Sequence, residues 1–393
     1  RQHIDYKSMK SARVIKEKSI PFIKPFYPKP QALCKNFRAY FKEGTYNEQT
    51  NAILEFEERL SKFLGVKYCV SVCNGTLGLI IALRVLDLKG NVILPSFSFS
   101  ATAHALTWNG IRPNFVDIDP KTFNLEPKKV KKAVNSRTTA ILAAHMFGNP
   151  CQIEQLQDIA KQYNLKLIFD SAHALGSTYK NKLIGRFGDL EVFSFHATKL
   201  LPVGEGGAVV TNSKKLYEKL KYVRTQGNRG DGNCIIVGLN AKISPYGAMI
   251  GLEGLKNFKV KLSGRIKLAQ YYFDLLKKIP GIHFQEITEC AESNFQYIPI
   301  VINKKQFGCS RDRLFDILKR KHIYTRKYFH PPIHKFRCYK HIFNKENLKN
   351  TEDISNNILC LPFYDNIKKS TIETVCSNIK KLANRFTLSD EHI

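Results

Sequence analysis

Between about residues 50 and 211 the chain alternates short β-rich runs with stretches of helical period, and few architectures accommodate that alternation. The runs 68–72, 92–94, 114–118, 140–145, 165–169, 191–195 and 207–211 are each bounded by turn residues. Helical spacing of apolar residues marks 127–134 and 153–163 between them. Ahead of them, 54–63 reads as an amphipathic helix with Leu54, Phe56, Leu60 and Phe63 on its apolar face. Strands alternating with helices predict an α/β fold, a largely parallel sheet covered on both sides.

Beyond residue 212 the alternation stops. Residues 214–223 and 248–278 have helical patterns, the second broken near Asn257 and Phe258 and ended by Pro280 and Gly281. From Phe284 a second pattern begins, with a strand at 296–302 and a helix at 311–321. The expected organisation is a poorly ordered lead-in (1–20), a large domain (21–260), a small C-terminal α+β domain (261–386) and a short tail (387–393). Pro21, Pro25, Pro28 and Pro30 force an extended stretch after the lead-in. There is no internal repeat and no low-complexity segment.

Composition narrows the function. Apolar residues at 43% and charged residues at 24% are ordinary for a globular chain of 393 residues. No run approaches the roughly 18 apolar residues of a membrane helix, and the opening RQHIDYKSMK lacks the apolar core of a secretory signal. The expectation is a soluble, cytoplasmic protein with no membrane partner. Basic residues exceed acidic ones by 62 to 33, a net charge of +29. Of the 62, 45 are lysines, and they are scattered instead of forming one block. Base-edge readers favour arginine, and no helix-turn-helix, finger or RNA-recognition signature is present, so no specific nucleic-acid partner is expected. Ten cysteines include no CxxC pair and no Cys/His zinc spacing, which favours reduced thiols and no metal site.

Ligands of α/β sheets bind beyond the carboxyl ends of the strands, and four features fall there. Asn74-Gly75-Thr76 joins a strand to a helix, where free N–H groups and the positive end of the helix dipole suit a phosphate. Asp170 ends a buried strand, a costly place for a carboxylate without a partner, and His173 follows closely. Taken singly, Asp170 could equally cap a helix and His173 could be a hydrogen-bonded core residue. Lys199 stands past a strand in Ser194-Phe195-His196-Ala197-Thr198-Lys199, before Gly204-Glu205-Gly206-Gly207. The segment from Pro95 to Thr102 puts Phe97 and Phe99 where a flat ring could stack. A phosphate cradle, a carboxylate, an aromatic platform and a lysine amine are together what pyridoxal 5′-phosphate requires.

These segments, with Phe115-Val116-Asp117-Ile118-Asp119, Gly238-Leu239-Asn240-Ala241-Lys242, Tyr328-Phe329-His330-Pro331-Pro332-Ile333-His334 and Leu361-Pro362, resemble the DegT/DnrJ/EryC1/StrS sugar aminotransferases from about Ile20 to Lys381. The resemblance implies a fold-type I, aspartate-aminotransferase-like protein with a large mostly parallel mixed sheet and a smaller C-terminal domain. It implies that Lys199 forms the Schiff base with pyridoxal phosphate and then shuttles the proton, while the cofactor passes through pyridoxamine phosphate. Asp170 would keep the pyridine nitrogen protonated, His173 would lie near the ring hydroxyl, and Phe99 would stack on the ring. Gly75, Thr76 and Ser194 would hold the phosphate. Asn240 would reach the phosphate of a neighbouring subunit, which implies a homodimer with shared sites. His330, Tyr328 and His334 would belong to the substrate pocket. One departure is Ser244-Pro245-Tyr246-Gly247, where the family usually continues with Ser-Glu-Leu. Pro245 is compatible with the first turn of a helix.

The implied reaction takes the amino group of L-glutamate and places it on a keto sugar carried by a nucleoside diphosphate. Trp108-Asn109-Gly110 and the Lys199 motif are most similar to viosamine-type enzymes acting at C4 of dTDP-4-keto-6-deoxy-D-glucose, ahead of a C3 enzyme. Relatives with dehydratase chemistry carry His at the lysine position, so Lys199 favours transamination. A non-catalytic binding protein on the same fold is the rival from another class.

Overall fold

The structure, a computed structural model, describes residues 19–43, 51–229, 231–340 and 348–389. Most of the expected lead-in and the end of the expected tail lie outside the described residues. Helices α1 (Pro30–Glu43) and α2 (Asn51–Leu64) lead into β1 (Tyr68–Val72). Then come α3 (Gly75–Val85), β2 (Asn91–Pro95), α4 (Ser100–Trp108), β3 (Arg112–Val116), α5 (Pro127–Ala133), β4 (Thr138–Ala144), α6 (Ile153–Gln162) and β5 (Lys166–Asp170). A small hairpin, β6 (Thr178–Tyr179) and β7 (Lys182–Leu183), precedes β8 (Leu190–Ser194) and β9 (Gly207–Thr211). Helices α7 (Lys214–Arg224), α8 (Pro245–Lys256) and α9 (Phe258–Leu276) follow. The remainder is β10 (Ile282–Phe284), β11 (Ala291–Glu292), β12 (Ile298–Ile302), α10 (Lys304–Phe307), α11 (Arg311–Arg320), α12 (Lys349–Asn357), β13 (Ile358–Leu361) and α13 (Lys369–Ser389).

Seven strands form the main sheet in the order β1-β9-β8-β5-β4-β2-β3. β9 pairs antiparallel with both its neighbours, and the other pairings are parallel. Alternation along the strands gives the sheet two apolar faces. Ile141, Ala143, Leu167, Phe169 and Phe193 join a cluster with α2, α6 and α8. Ala140, Leu142, Ile168, Leu190 and Val192 join one with α3, α4 and α7. Both faces are therefore dry, which is why the strands read as apolar runs.

Several details depart from the sequence reading. Pro30 is the first residue of α1, a position that needs no N–H, so the proline-rich stretch ends in a helix. On α2 the buried stripe is Ile53, Phe56, Leu60 and Leu64, and Leu54 is exposed, because residues three and four apart share a face. The third strand ends at Val116, and Ile118 forms an isolated bridge with Leu125. The odd tetrapeptide starts α8: the Ser244 hydroxyl accepts from the Gly247 N–H, Pro245 follows, and Tyr246 packs among Phe37, Tyr40 and Phe41 of α1.

The second sheet, β10-β12-β13, packs with α9, α11 and α13 around Tyr272, Ile300, Leu314, Leu359 and Ile379. A fourth apolar cluster bridges the two sheets. It joins Phe97, Ile118, Met146 and Phe147, just past the carboxyl ends of β2, β3 and β4, to Tyr297, Phe329 and Ile358.

Candidate active site

At the carboxyl ends of β1, β2, β4, β5 and β8 lies a cavity of about 350 Å³ lined by Gly75, Thr76, Phe99, Asp170, His173, Ser194, Lys199 and Tyr328, among others. One end is the start of α3. The Asn74 side chain accepts from the Leu77 N–H at 2.9 Å, and Gly78 N–H bonds to the Asn74 carbonyl, so Gly75 and Thr76 are left with no acceptor inside the helix. A Cβ on Gly75 would come within 3.1 Å of the Ser194 Cβ, so the glycine lets β8 and the helix start share a cradle.

Asp170 closes β5 on the floor of the cavity. Its Oδ2 accepts from the Thr102 hydroxyl at 2.7 Å, and its Oδ1 from the Ala172 N–H at 3.2 Å. The Ser98 hydroxyl lies 2.8 Å from that of Thr102. Burial pushes the Asp170 carboxyl up, while Thr102, the Ala172 N–H and the charge of Lys199 pull it down. His173 is buried against Phe147, Tyr297 and Phe329. Its Nδ1 accepts from the Phe147 N–H at 3.3 Å, which puts the proton of the neutral ring on Nε2. Burial, then the charge of Lys199, holds it well below the usual histidine range.

Lys199 sits on the loop between β8 and β9. Backbone bonds Phe195 N–H to Gly206 O, Ala197 N–H to Gly204 O and Val203 N–H to Phe195 O tie that loop shut. The Gln296 amide donates to the Thr198 carbonyl at 2.9 Å. Burial lowers the Lys199 amine to about 8, against the charge of Asp170. Phe99 stands at the start of α4, lines the cavity and is 56% exposed.

Three of the sequence-selected residues lie elsewhere. Asn240 is exposed, bridged to Thr225 at the base of an excursion whose Ile235, Val237 and Leu239 are also exposed. His330 is exposed, its Nδ1 3.4 Å from the Ser355 hydroxyl. His334 is buried: its Nδ1 lies 2.6 Å from the Ser96 hydroxyl and its Nε2 3.1 Å from Glu352. Thr102, Tyr297, Phe329 and Glu205 enter the site without having been singled out for it. Thr102 had one signal, a hydroxyl in the first turn of the helix that follows a strand end. The described residues include no group of three or more His, Cys, Asp or Glu able to hold a metal, and all ten cysteines are free.

The geometry agrees with the company the chain keeps. A dTDP-4-amino-4,6-dideoxy-D-glucose transaminase of Shigella dysenteriae is 38% identical over 368 residues, covering 94% of this chain and 98% of that protein. An Escherichia coli protein of the same name is 32% identical over 361 residues, covering 91% and 95%. The crystal structure of DesI in the presence of its TDP-sugar product superposes with a TM-score of 0.90 at 33% identity over 96% of each chain. Helicobacter pylori PseC, an aminotransferase of pseudaminic acid biosynthesis, superposes at 0.86 with 28% identity, over 94% of this chain and 100% of that one. Residues 30–380 match the model of one family, and the chain belongs to it: the DegT/DnrJ/EryC1/StrS aminotransferases.

Proposed function

We propose that the chain transfers the amino group of L-glutamate to C4 of dTDP-4-keto-6-deoxy-D-glucose, with pyridoxal 5′-phosphate held in the cavity. One observation carries the chemistry: a lysine amine brought to about 8 shares a single cavity with a buried carboxylate and the start of a helix. The choice of sugar rests on the 38% identity to the Shigella enzyme.

The residues suit the cofactor. The N–H groups of Gly75 and Thr76 and the Ser194 hydroxyl would hold the phosphate, which the N-terminal end of α3 favours. Asp170 would meet the pyridine nitrogen, and Thr102 fixes that carboxylate in place. His173, with its proton on Nε2, would donate to the ring hydroxyl, and Phe99 would cover the ring. Bound there, pyridoxal phosphate supplies an aldehyde that exchanges amino groups and a ring that accepts electrons from a broken C–H bond.

Lys199 Nζ would hold the cofactor covalently, which requires the neutral amine. At about 8, roughly a tenth of it is neutral at pH 7, against about one part in three thousand for an ordinary lysine. With the cofactor bound, the same Nζ would be the base that takes a proton from the substrate carbon and the acid that gives it back. Toward the keto sugar Nζ would act in the opposite sense, as the proton donor to the carbon that receives the amine. Tyr297, Tyr328 and Phe329 line the cavity together with Lys199.

A homodimer belongs to the proposal. The exposed Ile235, Val237 and Leu239 beside Asn240 support an arm that packs on a second copy. Ten free cysteines and the absence, among the described residues, of a helix able to cross a membrane support work in the cytoplasm. The test is incubation of the purified chain with pyridoxal phosphate, L-glutamate and the keto sugar, followed by NMR of the products. A 4-amino sugar and 2-oxoglutarate in equal amounts are expected. Preferential turnover of a 3-keto isomer would move the assignment to C3.

A further inference from the structure

Behind Asp170 the sheet hides a second carboxylate that the reading above leaves unused. Glu191 lies in β8 between Leu190 and Val192 with none of its side chain exposed. By strand alternation it faces the side of Phe193 and Phe169, opposite to Asp170. Three donors converge on it. The Ser171 hydroxyl reaches Oε2 at 2.6 Å, and the N–H groups of Gly185 and Phe187 reach Oε1 at 2.9 and 2.7 Å.

A fourth donor stands by. His145 Nδ1 accepts from the Cys151 N–H at 2.9 Å, so the neutral ring carries its proton on Nε2. That Nε2 is buried with no hydrogen-bond partner and lies 3.9 Å from Glu191 Oε2. Burial holds His145 neutral down to about 3. Three bonded donors, a fourth N–H nearby and no acceptor suit an ionised carboxylate, while burial raises Glu191 to about 7.

Among the described residues no lysine or arginine comes within 4 Å of Glu191. The nearby Arg186 is turned to the Leu64 carbonyl, and Asp189 pairs with Lys166. A buried anion without a counter-ion is costly. The opposite face of the sheet borders the cavity. Ser171 is the residue after Asp170, Asp170 is in register with Val192, and Lys199 lies in the cavity beyond. The thiol of Cys151 is pushed up by burial and by the charges of both Glu191 and Asp170, so the two carboxylates act on one region.

We propose that Glu191, with Ser171 and His145, is a positioning residue that fixes a second negative charge behind Asp170 and strengthens the site's hold on a protonated pyridine nitrogen. The inference rests on the reading of Asp170 as the partner of that nitrogen. Its test is pyridoxal phosphate titration of the full chain as wild type, Glu191→Gln and Ser171→Ala. Glutamine keeps the size and the acceptor for Gly185 and Phe187; it removes the charge and turns the edge facing the Ser171 hydroxyl from acceptor to donor, which the rotatable hydroxyl can accept.

For Glu191→Gln, cofactor affinity is expected to fall about tenfold, and the pH midpoint of the bound cofactor's absorbance to move down by about one unit. Melting of the cofactor-free protein should not fall, which separates this role from loop anchoring. Wild-type affinity with an unmoved midpoint overturns the inference. Should the glutamine variant fail to fold, Ser171→Ala decides. Loss of its donor discharges Glu191 near neutral pH, so the midpoint falls in the same direction, and an unmoved one overturns the inference. A wild type that binds no cofactor overturns the parent reading and takes this inference with it.

Discussion

Removing the Lys199 amine should make the cofactor-free chain more stable. An ordinary lysine loses its proton at 10.5, whereas burial brings Lys199 to about 8. At about 1.4 kcal/mol per unit, holding the charged form in the folded chain costs up to roughly 3 kcal/mol. The folded chain releases the proton from about 8 upward and the unfolded chain only near 10.5. Stability at this site is therefore lowest below pH 8 and recovers as the pH rises toward 10.5. Two effects reduce the gain. The side chain is partly exposed to the cavity, where water screens it, and without its charge the buried Asp170 is harder to ionise. Lys199→Met keeps an unbranched stem of similar volume, so a cavity contributes little. The expected net gain is about 2 kcal/mol at pH 7, shrinking by about 1 kcal/mol at pH 9. Urea unfolding of both cofactor-free proteins at the two pH values measures it. A variant less stable than wild type at pH 7, or a gain that ignores pH, would refute the reasoning.

Other substitutions probe the supports of the site. Thr102→Val removes the donor to Asp170 Oδ2, and fluorescence titration should show pyridoxal phosphate bound about tenfold more weakly, the equivalent of one hydrogen bond to a charged group. In Gly207→Ala the new Cβ would lie 2.7 Å from the Phe193 carbonyl and 3.0 Å from the Gly75 nitrogen. Thermal melts should register about 1–3 kcal/mol of destabilisation, and cofactor affinity should fall with it as the phosphate cradle is displaced. His334→Ala breaks the ties to Ser96 and Glu352, so it should cost about 1–3 kcal/mol in a denaturant melt and leave cofactor affinity unchanged. A large loss of affinity there would put His334 in direct service of the cofactor.

The large sheet was legible because each of its strands is a short apolar run closed by turn residues, and a doubly covered sheet demands that pattern. Asp170, Ser194 and Gly75 could be found from sequence because each directly follows or ends such a run, and parallel strands bring those ends to one edge. What failed depends on context that sequence spacing does not carry. Pro30 is as acceptable at a helix start as in an extended stretch, so α1 went unread. Leu54 and Ile53 are neighbours of equal hydrophobicity, and only packing against the sheet decides between them. Thr102 finds Asp170 across 68 residues of chain, and Glu191 and His145 find their nearer partners through turns whose course spacing does not reveal. The histidines of the Tyr328–His334 segment were prominent as residue types. Whether they face a cavity or a serine is set by how that loop turns, and His334 turns to Ser96.

The central claim is that one lysine among 45 is the covalent anchor of the cofactor. The most direct measurement is borohydride reduction of the pyridoxal-phosphate-loaded protein followed by peptide mass spectrometry. The account predicts one phosphopyridoxyl group per chain, on Lys199, and its loss when L-glutamate is added before reduction. A label spread over surface lysines, or one that glutamate does not remove, would contradict it.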